Sequence, residues 1–445
     1  MGKKFLKNYA IVILGASGNL TQLKLIPALG RMFDRKEIDE SSVIIGSGRT
    51  QLNDLLFRNK FSNVSDKFKS ILYYHRGISG MKEFINTKGD YQRIIFFFAL
   101  PPSVYASTAR ELSGEGMQKK CSIIIEKPFG CSYDSAHRLN SELNKYFDDS
   151  QIYRIDHYLA KEAVQNILVF RFANYLFSQV WNNKYIESIQ ISAYEKIGIE
   201  GRGAYFDKAG IIRDMVQNHL VQLICLLTMD APVNLTAEEL KIQKKGILKV
   251  LRAADCSKYQ YEGYTEEKGV SCNSKTETYA ELKLFIDNLR WSGVPIHIRT
   301  GKCLDRKGTE IGVKFKAFPK VLYNKHGEIP SNKIIFKIQP AQGIIVALAS
   351  KTPGSDNQIT STNMSFCYRD SFDSEIMEAY ERLLFDALKG DKALFVSAEE
   401  TELSWKVFDH IFKKTDIQYY KKGTVPKSCF CKKWIEFEKY ASVCS

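Results

Sequence analysis

Two strings in this chain gather side chains of the kinds that move protons and hold anions. In Gly210-Ile-Ile-Arg213-Asp214-Met-Val-Gln217-Asn218-His219-Leu220, the residues Met215, Val216, Leu220, Leu223, Ile224 and Leu227 recur at helical spacing and leave His219 beside the edge of the stripe. Imidazole is the side chain whose pKa best suits proton abstraction near neutral pH, although a histidine on a helix flank is more often structural. In Arg154-Ile-Asp156-His157-Tyr158-Leu-Ala-Lys161, Asp156 is expected to cap a helix, with Lys161 four residues from His157 on the same face. A helix N-terminus, an imidazole, a phenol and an ammonium together suit a phosphate dianion; the plainer reading is a charged helix start on the surface.

A third string lies near the N-terminus, where Gly15-Ala-Ser17-Gly18-Asn19-Leu20 follows the apolar run YAIVIL and precedes a stretch of helical periodicity. Glycines between a strand and a helix let backbone N–H groups and the helix terminus meet a pyrophosphate; a lone pair of them is also an ordinary turn. At the end of the second strand, where an NAD enzyme would carry Asp or Glu, the chain reads Gly46-Ser-Gly-Arg49-Thr50. A guanidinium binds a 2′-phosphate bidentately, so the implied cofactor is NADP. Lys24, Lys127 at a strand terminus, and Lys302 and Lys307 after the segment VPIHIRTG are further cations, each by itself an ordinary solvated lysine.

The elements that must position these groups follow from periodicity. Unbroken apolar runs at Tyr9 to Leu14, Ser42 to Gly46, Ile94 to Leu100 and Ser122 to Glu126 alternate with helical segments, which describes a doubly wound parallel sheet. The rhythm changes near Tyr153. A helix is expected over about 157–172, a strand over 186–194, helices around 210–228 and 235–253, and alternating strands at 277–287, 295–300, 310–318, 334–339 and 344–349. The expected fold is therefore α/β plus α+β: an N-terminal Rossmann domain over 1–153, and a larger domain over 154–445 on a mainly antiparallel sheet.

Composition narrows the classes. With 445 residues, 44% of them hydrophobic and 26% charged, the chain is an ordinary globular protein of two or three domains. A net charge of +14, from 64 basic and 50 acidic residues, attracts polyanions, but the basic residues form no single arm, which favours small anionic ligands over nucleic acid. The ten cysteines include no CxxC and lack metal-ligand spacing, so free cytosolic thiols and no metal are expected. No apolar run approaches the roughly 18 residues that span a bilayer, and no secretory or lipid-anchor signal is present, so the expectation is a cytoplasmic protein away from membranes.

Taken in order, these strings resemble the glucose-6-phosphate dehydrogenase family over nearly the whole chain. The resemblance rests on the glycine loop with Leu20 and Lys24, Ala99-Leu-Pro101-Pro102 to Tyr105, Glu126-Lys-Pro-Phe-Gly130, and Arg154-Ile-Asp-His-Tyr-Leu159 with Lys161. It continues through Glu200-Gly-Arg-Gly203 leading to Asp214 and His219, Val294-Pro295 to Lys302, and Glu378-Ala-Tyr-Glu-Arg-Leu-Leu. It implies oxidation of glucose 6-phosphate to the 6-phosphogluconolactone with hydride transfer to NADP, the first step of the oxidative pentose phosphate pathway. His219 would be the general base, oriented by Asp156. His157, Tyr158 and Lys161 would hold the phosphate, and Lys127, Glu195, Asp214, Lys302 and Lys307 would complete the sugar pocket. Gly15, Ser17, Gly18, Asn19, Leu20, Arg49, Pro101, Tyr105 and again Lys127 would hold NADP, and the usual assembly is a homodimer or homotetramer.

Three departures from the family pattern are visible. Asn19 stands where Asp is common, Thr50-Gln51 follows the arginine where a further polar or basic group is usual, and Gly312 occupies a region where forms with a second, structural NADP carry a basic residue. That extra site is expected to be absent. The competing reading is a catalytically silent NADP-binding sensor of the same fold, motivated by Asn19 and a first domain shorter than the family's. His219, Asp156 and Lys161 argue against it.

Overall fold

Apolar runs five or six residues long are too short for helices and bury both faces once flanked by helices, which is why most of the first strands read as unbroken hydrophobic strings. In the computed structural model, which describes residues 7–319, 329–355, 358–372, 376–431 and 433–444, they form β1 (Tyr9–Leu14), β2 (Val43–Gly48), β3 (Leu72–Arg76), β4 (Arg93–Phe98), β5 (Cys121–Ile125) and β6 (Ile152–Ile155). These pair in parallel in the order β6-β5-β4-β1-β2-β3, with the short strand Phe395–Val396 added antiparallel to β6. The order reverses between β1 and β4, which run in register from Tyr9 beside Arg93 to Leu14 beside Phe98. One face of β1 buries Ile11 and Ile13 against the helix Ile26–Asp34, and the other buries Ala10 and Val12 with the helix Tyr105–Gly114.

The first compact unit comprises Met1–Ala160, Pro232–Ile242 and Met377–Leu403; the second comprises Lys161–Ala231, Gln243–Ile376 and Ser404–Ser445. Where the sequence suggests one cut after 153, the first unit runs on to Ala160 and takes in two later segments. The segment Met377–Leu403 joins it through charge: Glu381, buried, accepts from Arg31 and from Arg35, the latter at 2.5 Å.

The second unit holds β7 (Ile186–Tyr194), β8 (Leu251–Tyr261), β9 (Tyr279–Ile286), β10 (Ile296–Gly301), β11 (Gly308–Phe315), β12 (Lys333–Gln339), β13 (Gly343–Lys351) and β14 (Ile359–Cys367). The sheet order is β14-β13-β12-β11-β7-β10-β9-β8, closed by the strand Gln418–Tyr420. Pairing is antiparallel except for β7 with β10 and β8 with Gln418–Tyr420. The mainly antiparallel sheet was expected, and β7 and β9 to β13 lie where the alternation put them.

Several expectations are corrected. The helix expected over 235–253 ends at Val250, and β8 starts at the next residue. Strands β3, β6 and β14 gave no apolar run: β6 hides the fully buried Arg154, which is affordable because its guanidinium donates to Asp149 and Asn140 at 2.8 and 2.9 Å. Strand β14 is an exposed strand of polar residues. The cysteines are not all free, since Cys367 and Cys444 form a disulfide across 77 residues, a pairing that spacing alone cannot reveal. Among the described residues no helix is long and apolar enough to cross a membrane.

Burial of His297 on β10, reinforced by Lys283 and Arg299, holds its pKa down to about 4. The unfolded chain takes up this proton below about pH 6.5 while the folded chain refuses it, so this group's contribution to stability falls as pH drops from there toward 4, by roughly 3 kcal/mol in all. His297→Leu removes that contribution, so in urea titrations at pH 7, 6 and 5 the variant's stability relative to the wild type should rise as pH falls; a difference independent of pH would contradict the assignment.

Candidate active site

In the first unit, β1 delivers the chain to Gly15, whose φ is +96° and whose missing Cβ would lie 2.1 Å from the carbonyl oxygen of Ala99. No other residue fits between the ends of β1 and β4. The N–H groups of Gly15 and Ala16 both donate to the Ser47 carbonyl near the end of β2, at 2.8 and 2.9 Å, and the Thr21 hydroxyl donates to the Gly15 carbonyl at 3.1 Å. The loop is thus fixed by its own backbone, leaving Ser17, Gly18 and Asn19 exposed and Leu20 half-buried. A Cβ at Gly18 would fill space in which only the Gly15 carbonyl lies within 4 Å, so this glycine keeps the face of the loop clear. Arg49 is exposed on the turn after β2, and Pro101 is exposed after β4. Lys24, by contrast, pairs with Glu378 at 3.8 Å.

The end of β5 is held differently from expectation. Tyr105 is fully buried, and its hydroxyl donates to the Glu126 carbonyl at 3.0 Å and accepts from the Glu126 N–H at 3.2 Å. Its hydroxyl is therefore committed to positioning Glu126 and Lys127 rather than to a ligand. Tyr380 donates to the Glu126 carboxylate at 2.9 Å, and burial pushes that carboxyl up to about 7 against the pull of Tyr380 and Lys127. The peptide bond between Lys127 and Pro128 is cis.

After β6 the chain does not enter a helix at once. The Asp156 carboxylate accepts from the Tyr158 N–H at 3.0 Å, two residues on, which closes a tight turn in place of a helix cap. The helix begins at Glu162 with Lys161 at its N-cap, so the expected helical alignment of His157 with Lys161 does not exist. Asp156 and Tyr158 are buried and His157 is half-exposed.

In the second unit, parallel pairing of β7 and β10 sets Tyr194 beside Gly301, and the next residue on each strand continues the match. Glu195 and Lys302 consequently form an ion pair, with Lys302 buried. Tyr420 donates to the Lys302 carbonyl at 2.6 Å, fixing that strand end. Lys161 donates to the Gln339 amide oxygen, and the same amide donates to Thr309 at 3.1 Å. Lys307 stays exposed on the loop before β11.

His219 lies on a π-helical segment, Ile212–Leu220, between α-helical turns. Bonding from i to i+5 places Asp214 one turn before His219 on the same face, which α-helical winding would not do. The residues are both buried, so His219 is not at the stripe's edge as the apolar pattern suggested. The segment starts from Gly210, with φ +68°, where a Cβ would lie 2.4 Å from the Glu277 carboxylate. That carboxylate accepts from the Ile212 N–H at 3.3 Å, and the Glu277 carbonyl accepts from the Ile211 N–H at 3.0 Å. Burial raises the Glu277 pKa, against the opposing pull of Lys258.

Glu277, Gln339, Tyr380 and Tyr420 were not singled out from the sequence. Each acts through a partner remote in the chain, and no local pattern marks them. Gly210→Ala should lower unfolding stability by about 2–4 kcal/mol, through a strained φ and the overlap with Glu277, as read from urea midpoints. A loss below about 0.5 kcal/mol would show that this glycine does not set the segment.

Comparison with known proteins finds two family matches, one after the other along the chain. Residues 12–166 match the family described as glucose-6-phosphate dehydrogenase, NAD binding domain, and residues 168–432 match its C-terminal domain. The glucose-6-phosphate 1-dehydrogenase of Borreliella burgdorferi is 38% identical over 93% of this chain and 93% of its own. That of Bacillus subtilis is 36% identical over 90% of each. A solved glucose-6-phosphate dehydrogenase in complex with its substrate glucose 6-phosphate is 33% identical, covers 96% of this chain and 97% of its own, and superposes with a TM-score of 0.88. The Mycobacterium avium glucose-6-phosphate 1-dehydrogenase structure gives 30% identity and a TM-score of 0.83 over 94% of this chain and 95% of that one.

Proposed function

The chain belongs to the glucose-6-phosphate dehydrogenase family, and from that premise we propose that it oxidises the C1 hydroxyl of glucose 6-phosphate to the lactone with NADP, His219 acting as general base. The observation that carries this reading is the buried His219 on a π-helical turn one winding after Asp214. A base there takes the hydroxyl proton as the C1–H bond breaks, and in this reading Asp156 orients the imidazole and stabilises its protonated form. A neutral imidazole does the abstraction, so turnover falls as the histidine protonates.

The exposed face of the glycine loop, clear of any Cβ at Gly18, fits a pyrophosphate. Arg49 suits the 2′-phosphate because β2 ends at Gly48 and is followed by Arg49-Thr50, with no carboxylate there to repel the phosphate. Ser17, Asn19, Leu20, Pro101 and Lys127 would complete the cofactor's surroundings, with Tyr105 acting through Glu126. NADP, when bound, supplies the hydride acceptor.

In this reading His157, Tyr158 and Lys161 grip the substrate phosphate, with Gln339 aiming the Lys161 ammonium. Lys302 and Glu195, already paired, present one donor and one acceptor to sugar hydroxyls, and Asp214, Lys127 and Lys307 add further polar contacts. The protein works as a homodimer or homotetramer in the cytoplasm; the eight cysteines outside the Cys367–Cys444 bond suit a reducing compartment.

Purified protein given glucose 6-phosphate should reduce NADP, and His219→Asn should abolish turnover while NADP still binds. Turnover surviving within about tenfold would remove the general-base assignment, and NADP binding without any turnover in the wild type would favour the silent sensor. Arg49→Ala should weaken NADP by about tenfold to a hundredfold and NAD hardly at all, because only the former carries the phosphate. Equal losses for the two cofactors would exclude that contact.

A further inference from the structure

The last segment of the chain crosses the sheet of the second unit from one side to the other. Near its start the Glu281 carboxylate on β9 accepts from the Cys429 N–H at 2.8 Å, and the Gln190 amide oxygen on β7 accepts from the Ile435 N–H at 2.6 Å. Next comes Gly312 on β11, where a Cβ would lie 2.5 Å from Ile435 and 3.1 Å from Phe437, so the missing side chain makes the seat for the strap. The buried Lys337 of β12 then donates to the carbonyls of Tyr440, at 3.2 Å, Ala441, at 3.0 Å, and Val443. Finally Cys444 reaches Gly343 on β13, whose Cβ would lie 2.6 Å from its sulfur, and bonds to Cys367 at the end of β14.

Strands β9, β7, β11, β12, β13 and β14 are met in the order in which the strap runs. Its apolar anchor is small, chiefly Ile435, Phe437 and Tyr440 against Ile335, Ile345 and Ala347. A short strap with so little apolar area is held in place at its far end by a covalent bond. Cys367 is buried while Cys444 is half-exposed, so one sulfur of the pair is open to attack and the other is shielded.

We propose that the Cys367–Cys444 pair is a thiol–disulfide exchange site that clasps the C-terminal strap to the catalytic sheet, and that a dithiol reductant opens it. A thiolate of the reductant attacks the Cys444 sulfur; Cys367 leaves and takes up a proton. The reductant's second thiol then displaces Cys444 as a thiol and closes the reductant's own disulfide, so two electrons and two protons pass to the pair. Opening frees the last residues from β13 and β14 and restores the entropy of a loop of 77 residues to the unfolded chain.

The test begins with thiol titration of the wild-type protein in denaturant. Eight thiols without reductant and ten after it are expected; ten in both overturns the proposal. Thermal unfolding with and without dithiothreitol comes next. The wild-type midpoint should fall by roughly 3–8 °C on reduction, while Cys444→Ser should unfold at the reduced value in both conditions. Limited proteolysis of the wild type should release the strap only after reduction, a readout that stands even if the variant fails to fold. A midpoint and a cleavage pattern indifferent to reductant would overturn the clasp.

Discussion

The contact between Gly210 and Glu277 is the constraint on which the π-helical segment carrying Asp214 and His219 depends. A residue with a side chain at 210 would collide with the carboxylate, and a residue without that carboxylate at 277 would leave the Ile212 N–H without its acceptor. With both in place the chain leaves Gly210 at a positive φ and enters a π-helical turn. Winding of that kind is locally poorer than an α-helix, so it persists where tertiary contacts impose it. Gln217 donating to Ser404 at 2.7 Å and Asn218 donating to the Arg213 carbonyl at 3.0 Å hold it at two more points.

Charge is managed locally throughout both units. Lys302 is buried against Glu195, Arg154 against Asp149, and Glu381 against two arginines, so these three buried charges have opposite partners, whereas the buried Lys337 is met by backbone carbonyls. Breaking such a pair from one side is costly, whereas its net contribution while intact is small. These pairs therefore act as registers: they fix where a strand end or helix lies more than they add to stability. The surplus of basic residues is left for the exposed positions, among them Arg49 and Lys307.

Glycines have three separate duties here. Gly15 allows β1 to pass the end of β4, Gly18 keeps a loop face open, and Gly312 receives the strap. Gly312, which in the sequence suggested the absence of a second cofactor site, lies under the chain's own C-terminal segment, with Ile435 and Phe437 filling the space above it.

The sequence by itself determined the alternation of short apolar strands with helices, the parallel, doubly wound character of the first sheet, and the mainly antiparallel character of the second sheet, because hydrophobic period is a local property of the chain. It also supplied the residue types of the site, through strings whose resemblance to one family runs along nearly its full length. Tertiary structure alone decided that 156–161 is a turn, since the Asp156 side chain bonds to the Tyr158 N–H where a helix cap was expected. It alone decided the π winding at His219, the partnership of Lys161 with Gln339, and the disulfide between Cys367 and Cys444. Each of those depends on groups scores of residues apart or on a competition between equivalent local bonds, and neither leaves a periodic trace in the sequence.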